Sequence, residues 1–321
     1  MERFEGRIAV VTGGGTGMGR ELVRQLAAEG CHVAMCDVSA EAMAETRSLA
    51  VDGAPAGVRV TSFVADVSKE SQVLAFRDAV ATDHETKHIN LLFNNAGIGG
   101  GGSIVTDDRV EWERTFGVDW GGVYFNTRAF LAMLLASDEG HVINTSSVNG
   151  LLASVGPTIP HTAYCAAKFA VRGFTEALIT DFRVNAPHLR ASVVMPGHIG
   201  TSIIINSGKA HGNDPESMDA AALSVLRQRL TNQGLPVEGV SDEDLRKGMQ
   251  MMAEGFRDTA PTTAAQAATI ILDGVRQNHW RILVGDDAQL LDAKVRADPE
   301  HSYDPEFWAS FISDGGFNFG G

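Results

Sequence analysis

Cysteine is scarce in this chain. Cys31, Cys36 and Cys165 are the only three in 321 residues, without metal-ligand spacing and too few for a disulfide framework, so neither a zinc module nor a stapled secreted scaffold is expected. Positive charge is also in deficit: 26 Lys and Arg against 40 Asp and Glu leave a net charge of −14. A nucleic-acid partner would require the opposite, a basic face. No run of 18 apolar residues occurs, which excludes a membrane-spanning helix. The N-terminus, Met1-Glu2-Arg3-Phe4-Glu5-Gly6, enters the first apolar stretch at once and leaves no room for a secretion leader, so a cytoplasmic protein is expected.

What is present points to one α/β unit. Hydrophobic content of 44% and charged content of 21% suit a soluble globular chain with a sizeable core. At roughly 150 residues per domain the length alone would suggest two domains, but α/β sheets often run longer as one. Strand-like runs occur at 7–12, 32–36, 59–64, 89–93, 141–145, 189–195 and 281–284, and helix-like stretches near 18–29, 39–51, 68–83, 107–136, 161–184 and 262–277. Ile8-Ala9-Val10-Val11 and Ala191-Ser192-Val193-Val194 do not alternate in polarity, as befits strands covered on both faces of a parallel sheet. Regular alternation of such strands with helices predicts a doubly wound sheet of about seven strands, helices on both faces, in a single domain over 1–321. Two segments exceed that scheme, 202–260 and the tail 286–321.

The first strand runs into Thr12-Gly13-Gly14-Gly15-Thr16-Gly17-Met18-Gly19. A Gly-rich turn between a strand and a helix lets backbone approach a pyrophosphate and aims helix N–H groups at it, and Gly13, Gly17 and Gly19 have the spacing that matters. Asp37 ends the second strand 18 residues beyond Gly19, where a carboxylate can hold ribose hydroxyls and repel a 2′-phosphate. No Lys or Arg occurs within 13–19 or 37–40, so the expected cofactor is NAD rather than NADP. Asp66-Val67 follows the third strand, where the adenine would lie; Asp66 also reads as a helix cap before Ser68.

Taken in order, Thr12-Gly-x-x-x-Gly17-x-Gly19, Asn94-Asn95-Ala96-Gly97, Ser147, Tyr164-x-x-x-Lys168 and Pro196-Gly197 resemble the short-chain dehydrogenase/reductases of the compact, single-domain, Rossmann-type branch. The likeness covers 7–201 and resumes near 262–284. It implies that Tyr164 is the general acid/base at the substrate oxygen and that Lys168, one helical turn on, binds the nicotinamide ribose and favours the tyrosinate. A unit charge at about 4 Å in an effective dielectric of about 20 is worth roughly 4 kcal/mol, enough to draw a phenol from near 10 towards neutrality. Ser147, in a Ser-Val-x-Gly context, would orient the substrate, leaving Ser146 structural. Thr16 and Met18 belong to the cofactor turn. Asn94, Ala96 and Gly97 would run beside the cofactor, with Asn94 bracing the sheet. Pro196, Ile199 and Thr201 would meet the carboxamide. The family's fourth catalytic residue is an Asn whose main-chain carbonyl holds a water. Here Asp119 stands in that place, in Val118-Asp119-Trp120-Gly121, and could serve through the same carbonyl, although a buried carboxylate needs a partner.

The resemblance implies an NAD(H)-dependent alcohol dehydrogenase or ketoreductase without metal. The alternatives are a catalytically silent NAD(H)-binding sensor or scaffold, and an NADPH-linked reductase. Residues 202–260 fall where relatives carry a lid, and Leu245, Met249, Met252 and Phe256 make an apolar stripe that suits a hydrophobic alcohol or ketone, or else packs on the sheet domain. The 17-residue step from Ser147 to Tyr164 is longer than usual and puts 154–160 at the substrate mouth. His161 and His198 flank the site. Gly99–Gly102 is either a loose loop or part of substrate access. The tail gathers Tyr303, Phe307, Trp308, Phe311, Phe317 and Phe319, too aromatic for disorder, and should dock on the lid or on a neighbouring subunit. Relatives pair the helices matching 107–136 and 161–184, so a homodimer or homotetramer is expected.

Overall fold

The computed structural model describes residues 1–215 and 217–317; Phe319 lies outside them. In chain order the first half contains β1 (Ile8–Thr12), α1 (Gly17–Ala28), β2 (His32–Asp37), α2 (Ala40–Asp52), β3 (Val60–Val64), α3 (Glu70–Asp83), β4 (Leu91–Asn94), α4 (Arg109–Phe116), a π-helical turn (Gly117–Gly121), α5 (Gly122–Leu135) and β5 (Gly140–Thr145). A short 3₁₀ turn (Val148–Gly150) leads to α6 (Thr162–Asn185), β6 (Leu189–Pro196), β7 (Ile199–Gly200), α7 (Ile203–Ala210), α8 (Ala220–Asn232), α9 (Asp242–Asp258), β8 (Thr262–Thr263), α10 (Ala264–Arg276), β9 (Arg281–Val284), α11 (Asp286–Ala297) and α12 (Pro305–Ser313).

Seven strands form one parallel sheet in the order β3-β2-β1-β4-β5-β6-β9, a Rossmann-type doubly wound fold. β1, β4 and β5 are buried at every residue, because helices cover both faces. The edge strand β3 instead alternates, with Thr61 and Phe63 partly exposed and Ser62 and Val64 exposed. One core packs α1, α2 and α10 on one face through Leu22, Leu26, Met43 and Ile271; the other packs α3, α5 and α6 through Phe76, Phe130, Leu178 and Phe182. The chain reverses between β1 and β4, which opens the crevice where such sheets take ligands.

The stretch expected as one helix over 107–136 is interrupted at Gly117–Gly121. A Cβ on Gly122 would come within 2.7 Å of Val67 Cγ2, so this segment sits tightly on the stretch that follows β3. π-Turns inside α-helices recur at functional sites, and this one carries Asp119 into the interior with no exposed surface.

Of the two extra segments, 202–260 has a cluster of its own, in which Leu245 and Met249 of α9 pack with Leu223 and Leu226 of α8 and with Met218 and Val237. The apolar stripe therefore divides: Met252 is half exposed, and the Phe256 ring lies tilted against His198, centroids 4.3 Å apart. In the tail, Trp308, Phe311 and Phe317 join Ala288 and Leu291 against Val148, Leu151, Leu152, Val193 and Met195. The tail thus docks on its own chain, on the turn after Ser147 and the end of β6, and not on the lid as one of the two expectations had it.

Candidate active site

The glycine turn is shaped by contacts that only glycine allows. Gly13 and Gly17 have φ of +68° and +54°, the left-handed region disfavoured for other residues. A Cβ on Gly19 would run into the Gly13 carbonyl, so α1 starts against the turn itself. Thr12 Oγ1 accepts from Asn95 N at 3.0 Å and Ala96 N at 3.1 Å, which ties this turn to the one after β4. Thr16 N-caps α1 without a side-chain capping bond among the described residues, and its hydroxyl accepts instead from Asn206 of α7 at 3.1 Å. The first N–H groups of α1 are left for an anion. Met18 packs on the core beneath, while Thr201 lies against Gly17, its Cγ2 3.1 Å from where a Cβ would sit.

Asp37 closes the far side. Its Oδ2 accepts from Gly15 N at 3.0 Å and its Oδ1 from Ser39 N at 3.1 Å. Arg20, one residue past Gly19, also sits here. It donates to the Gly15 carbonyl at 2.9 Å and to Glu45 at 2.6 Å, so a carboxylate offsets its charge. These residues fit a dinucleotide, with a pyrophosphate at the start of α1 and a ribose at Asp37. Asp66 accepts from Ser68 N and Oγ through one oxygen and from Arg114 at 2.7 Å through the other. Burial opposes its ionisation, yet the bonds from Ser68 and Arg114 prevail and hold its pKa below the ordinary value. It makes a turn one step before α3, whose N-cap is Lys69, so the expected cap role is not the one it plays.

At the sheet centre Asn94 donates to Thr127 Oγ1 at 3.0 Å and to Asn144 Oδ1 at 2.8 Å. Pro196 ends β6, and the buried Ile199 stands on β7, which pairs with β8. Gly97 faces the interior so closely that a Cβ would lie 3.1 Å from Asp119 Oδ1 and 3.2 Å from Lys168 Nζ.

Beyond β5, Ser146 Oγ donates to the Lys168 carbonyl at 2.7 Å, pinning α6 to the strand end. Ser147 accepts from Asn149 N at 3.1 Å and hydrogen-bonds Tyr164. Lys168 Nζ donates to the Thr145 carbonyl at 3.2 Å, stands 5.2 Å from the Tyr164 ring centre and lies 3.7 Å from Asp119 Oδ2. Asp119 Oδ1 accepts from Ile98 N at 2.8 Å, while Oδ2 has no hydrogen-bond partner among the described residues. Burial pushes the Asp119 carboxyl up to about 6 against the pull of Lys168 and the Ile98 N–H. Burial likewise raises the Tyr164 phenol, the Asp119 charge adds to this, and Ser147 only partly offsets it. Burial thus works against the expected descent of the phenol towards neutrality, and the nearby Asp119, which the family pattern lacks, works in the same direction.

Two further contacts escaped the motifs. The His161 ring lies 4.7 Å from that of Tyr164, and burial lowers it to about 4, so the imidazole is neutral at physiological pH. Gly99–Gly102 is anchored rather than loose. Ser207 accepts from Gly99 N at 2.7 Å, His211 Nε2 meets the Gly99 carbonyl at 2.8 Å, and the Gly102 and Gly101 carbonyls accept from Thr162 N and Ala163 N. The loop therefore links α7 to the start of the helix that carries Tyr164. His198 lies away from Tyr164 in these contacts, its N–H on Asp287 at 2.6 Å and its Nε2 at the Phe256 carbonyl.

Residues 7–211 match the family model described as short chain dehydrogenase. The chain belongs to the short-chain dehydrogenase/reductase family. It is 35% identical over 297 residues to the putative oxidoreductase SadH of Mycobacterium tuberculosis, covering 92% of each chain. The structure of a short-chain dehydrogenase/reductase from Burkholderia phymatum in complex with NAD superimposes with a TM-score of 0.73 at 28% identity, over 95% of this chain and 98% of that one. A metagenomic short-chain oxidoreductase in complex with NADP gives 0.53 at 30% identity, over 60% and 83%. As a short-chain dehydrogenase/reductase the protein is an oxidoreductase that binds a nicotinamide cofactor. Among the described residues no helix is long and apolar enough to cross a membrane, and no cluster suits a metal ion.

Proposed function

We propose that this short-chain dehydrogenase/reductase exchanges hydride between a hydrophobic secondary alcohol or ketone and NAD(H), with Tyr164 as the general acid/base. The observation that carries the reading is the convergence of Ser147, Tyr164 and Lys168 at the end of β5, one helical turn separating the last two, beside a glycine turn closed by Asp37. When bound, the nicotinamide supplies or accepts the hydride. Ser147 holds the substrate oxygen, Tyr164 gives or takes its proton, and Lys168 neighbours the tyrosine ring. Asp119 contributes at Lys168.

Asp37 supports NAD over NADP, since its carboxylate would repel a 2′-phosphate. Arg20 does not reverse this, because Glu45 pairs with it at 2.6 Å. Gly13, Thr16, Gly17, Met18, Gly19, Asp66, Val67, Asn94, Ala96, Gly97, Pro196, Ile199 and Thr201 complete the proposed cofactor cradle. A homodimer or homotetramer through α5 and α6, in the cytoplasm, belongs to the same proposal. A screen of secondary alcohols with NAD and of ketones with NADH, read at the NADH absorbance, tests it. Turnover that survives Tyr164→Phe at more than about a tenth of wild type would reject the acid/base role, which is worth ~10²–10⁴-fold.

A further inference from the structure

We propose that the Asp119 carboxylate is a positioning residue that takes up the Lys168 charge, so that the Tyr164 hydroxyl stays protonated at neutral pH and the site is set to give a proton to a carbonyl oxygen rather than to take one from an alcohol. The inference rests on the hydride-transfer reading above and adds its favoured direction. In that direction the hydride comes from the reduced dinucleotide. The Tyr164 O–H bond breaks, its proton passes to the substrate oxygen, and the tyrosinate regains a proton from water.

The geometry carries the argument. The π-helical turn delivers Asp119 to a fully buried position. Ile98 N fixes one carboxylate oxygen at 2.8 Å, and the other, with no hydrogen-bond partner among the described residues, faces Lys168 Nζ at 3.7 Å. Gly97 leaves the space for that approach, since a Cβ there would crowd both groups. Lys168 is in turn the cation over the Tyr164 ring, 5.2 Å from its centre. A lone unit charge about 5 Å from a phenol oxygen in an effective dielectric of about 20 would move its pKa by roughly two units. Beside Asp119, Lys168 acts on Tyr164 as one end of a dipole, and most of that pull is cancelled.

The other groups facing the pair do not replace Asp119. His211, at the end of α7, acts on Asp119 through its charge. Cys165 raises Tyr164 slightly, Ser147 lowers it through a hydrogen bond, and His161 is held neutral against its ring. An asparagine at position 119 would keep an oxygen for Ile98 N and remove only the charge.

The test is a tyrosinate absorbance titration of the cofactor-free protein. With three tyrosines, Tyr124, Tyr164 and Tyr303, the Tyr164→Phe variant isolates the signal of interest. Asp119→Asn is expected to lower the Tyr164 midpoint by about one pH unit or more, a tenfold change in ionised fraction, and Lys168→Met to raise it. Asp119→Ala repeats the measurement if the asparagine variant does not fold. A midpoint within about 0.3 unit of wild type, or above it, in a folded Asp119 variant overturns the inference, since roughly two units are at stake. In turnover, Asp119→Asn should move the alkaline rise of alcohol oxidation to lower pH by the same amount. The titration needs no turnover: a shifted midpoint without activity on any substrate removes the hydride-transfer reading and the direction built on it. An unshifted midpoint in an active enzyme removes this inference alone.

Discussion

Replacing Phe311 by alanine should weaken the whole molecule and slow the active site, although α12 contributes no motif residue. Phe311 has no exposed surface. Its ring meets Trp308 edge-on at 5.6 Å and Phe317 at 5.0 Å, within the cluster that holds Val148, Leu151 and Leu152. Removing a buried phenylalanine side chain costs about 3–5 kcal/mol, most of it lost apolar burial and cavity formation. The edge-to-face pairs, worth roughly 0.5–1.5 kcal/mol each, fall inside that range. For a chain of this size that corresponds to a fall in melting temperature on the order of 5–15 °C. The 3₁₀ turn packed beneath the tail begins directly after Ser147, so a looser cluster should also lower kcat/KM in protein that is still folded. Melting followed by circular dichroism, together with turnover well below the transition, reads both effects. A melting temperature within about 2 °C of wild type, only about 1 kcal/mol for a chain of this size, or early melting of the tail with turnover intact, would refute the coupling of tail to site.

Other outcomes follow from the same contacts. Tyr164→Phe should cost ~10²–10⁴-fold in turnover while NADH affinity, measured by nucleotide fluorescence, changes only a few-fold. Asp37→Ala should erode the ratio of kcat/KM for NAD over NADP; equal values for the two cofactors in the unmodified protein would rule out the selectivity assigned to this carboxylate. Gly19→Ala puts a Cβ onto the Gly13 carbonyl and should abolish nucleotide binding, and fluorescence titration showing wild-type affinity would count against the cradle. Asp119 makes a stability prediction as well. Its folded-state pKa, about 6, lies above the ordinary 3.8, so the folded chain holds that proton more tightly and the group's contribution to stability falls as pH rises from about 4 to 6. The melting temperature of Asp119→Asn minus that of wild type should therefore grow across that window, and a constant difference would show that Asp119 does not titrate there.

The seven sheet strands were legible as uninterrupted or alternating apolar runs, and their bounds moved by no more than two residues on folding. Gly13, Gly17 and Gly19 were legible for a similar reason: the turn they make is a local backbone requirement. The long helix at 107–136 was misread as continuous, because a π-turn adds no break in composition beyond Gly117, Gly121 and Gly122. Nor did apolar spacing on α9 reveal that Leu245 and Met249 face α8 while Phe256 faces His198. A stripe shows that a face is buried, not against what. Arg20 stands one residue past the glycine turn in sequence, and only its bonds to Gly15 and Glu45 show where its charge goes.

The strands along the chain, the glycine turn and the positions of Asp37, Ser147, Tyr164 and Lys168 were readable from residue types at short spacing and from the family pattern. That much belonged to the sequence alone. The charge balance around Tyr164 did not. It depends on Asp119 reaching Lys168 across 49 positions of chain and on Gly97 leaving space beside them. The contacts of Ser207 and His211 with Gly99, and the seat of the tail on the turn after Ser147, are likewise products of folding. Backbone form is decided by neighbours along the chain, whereas electrostatics and packing are decided by distance in space and by exclusion of water. Only the tertiary structure supplies those two.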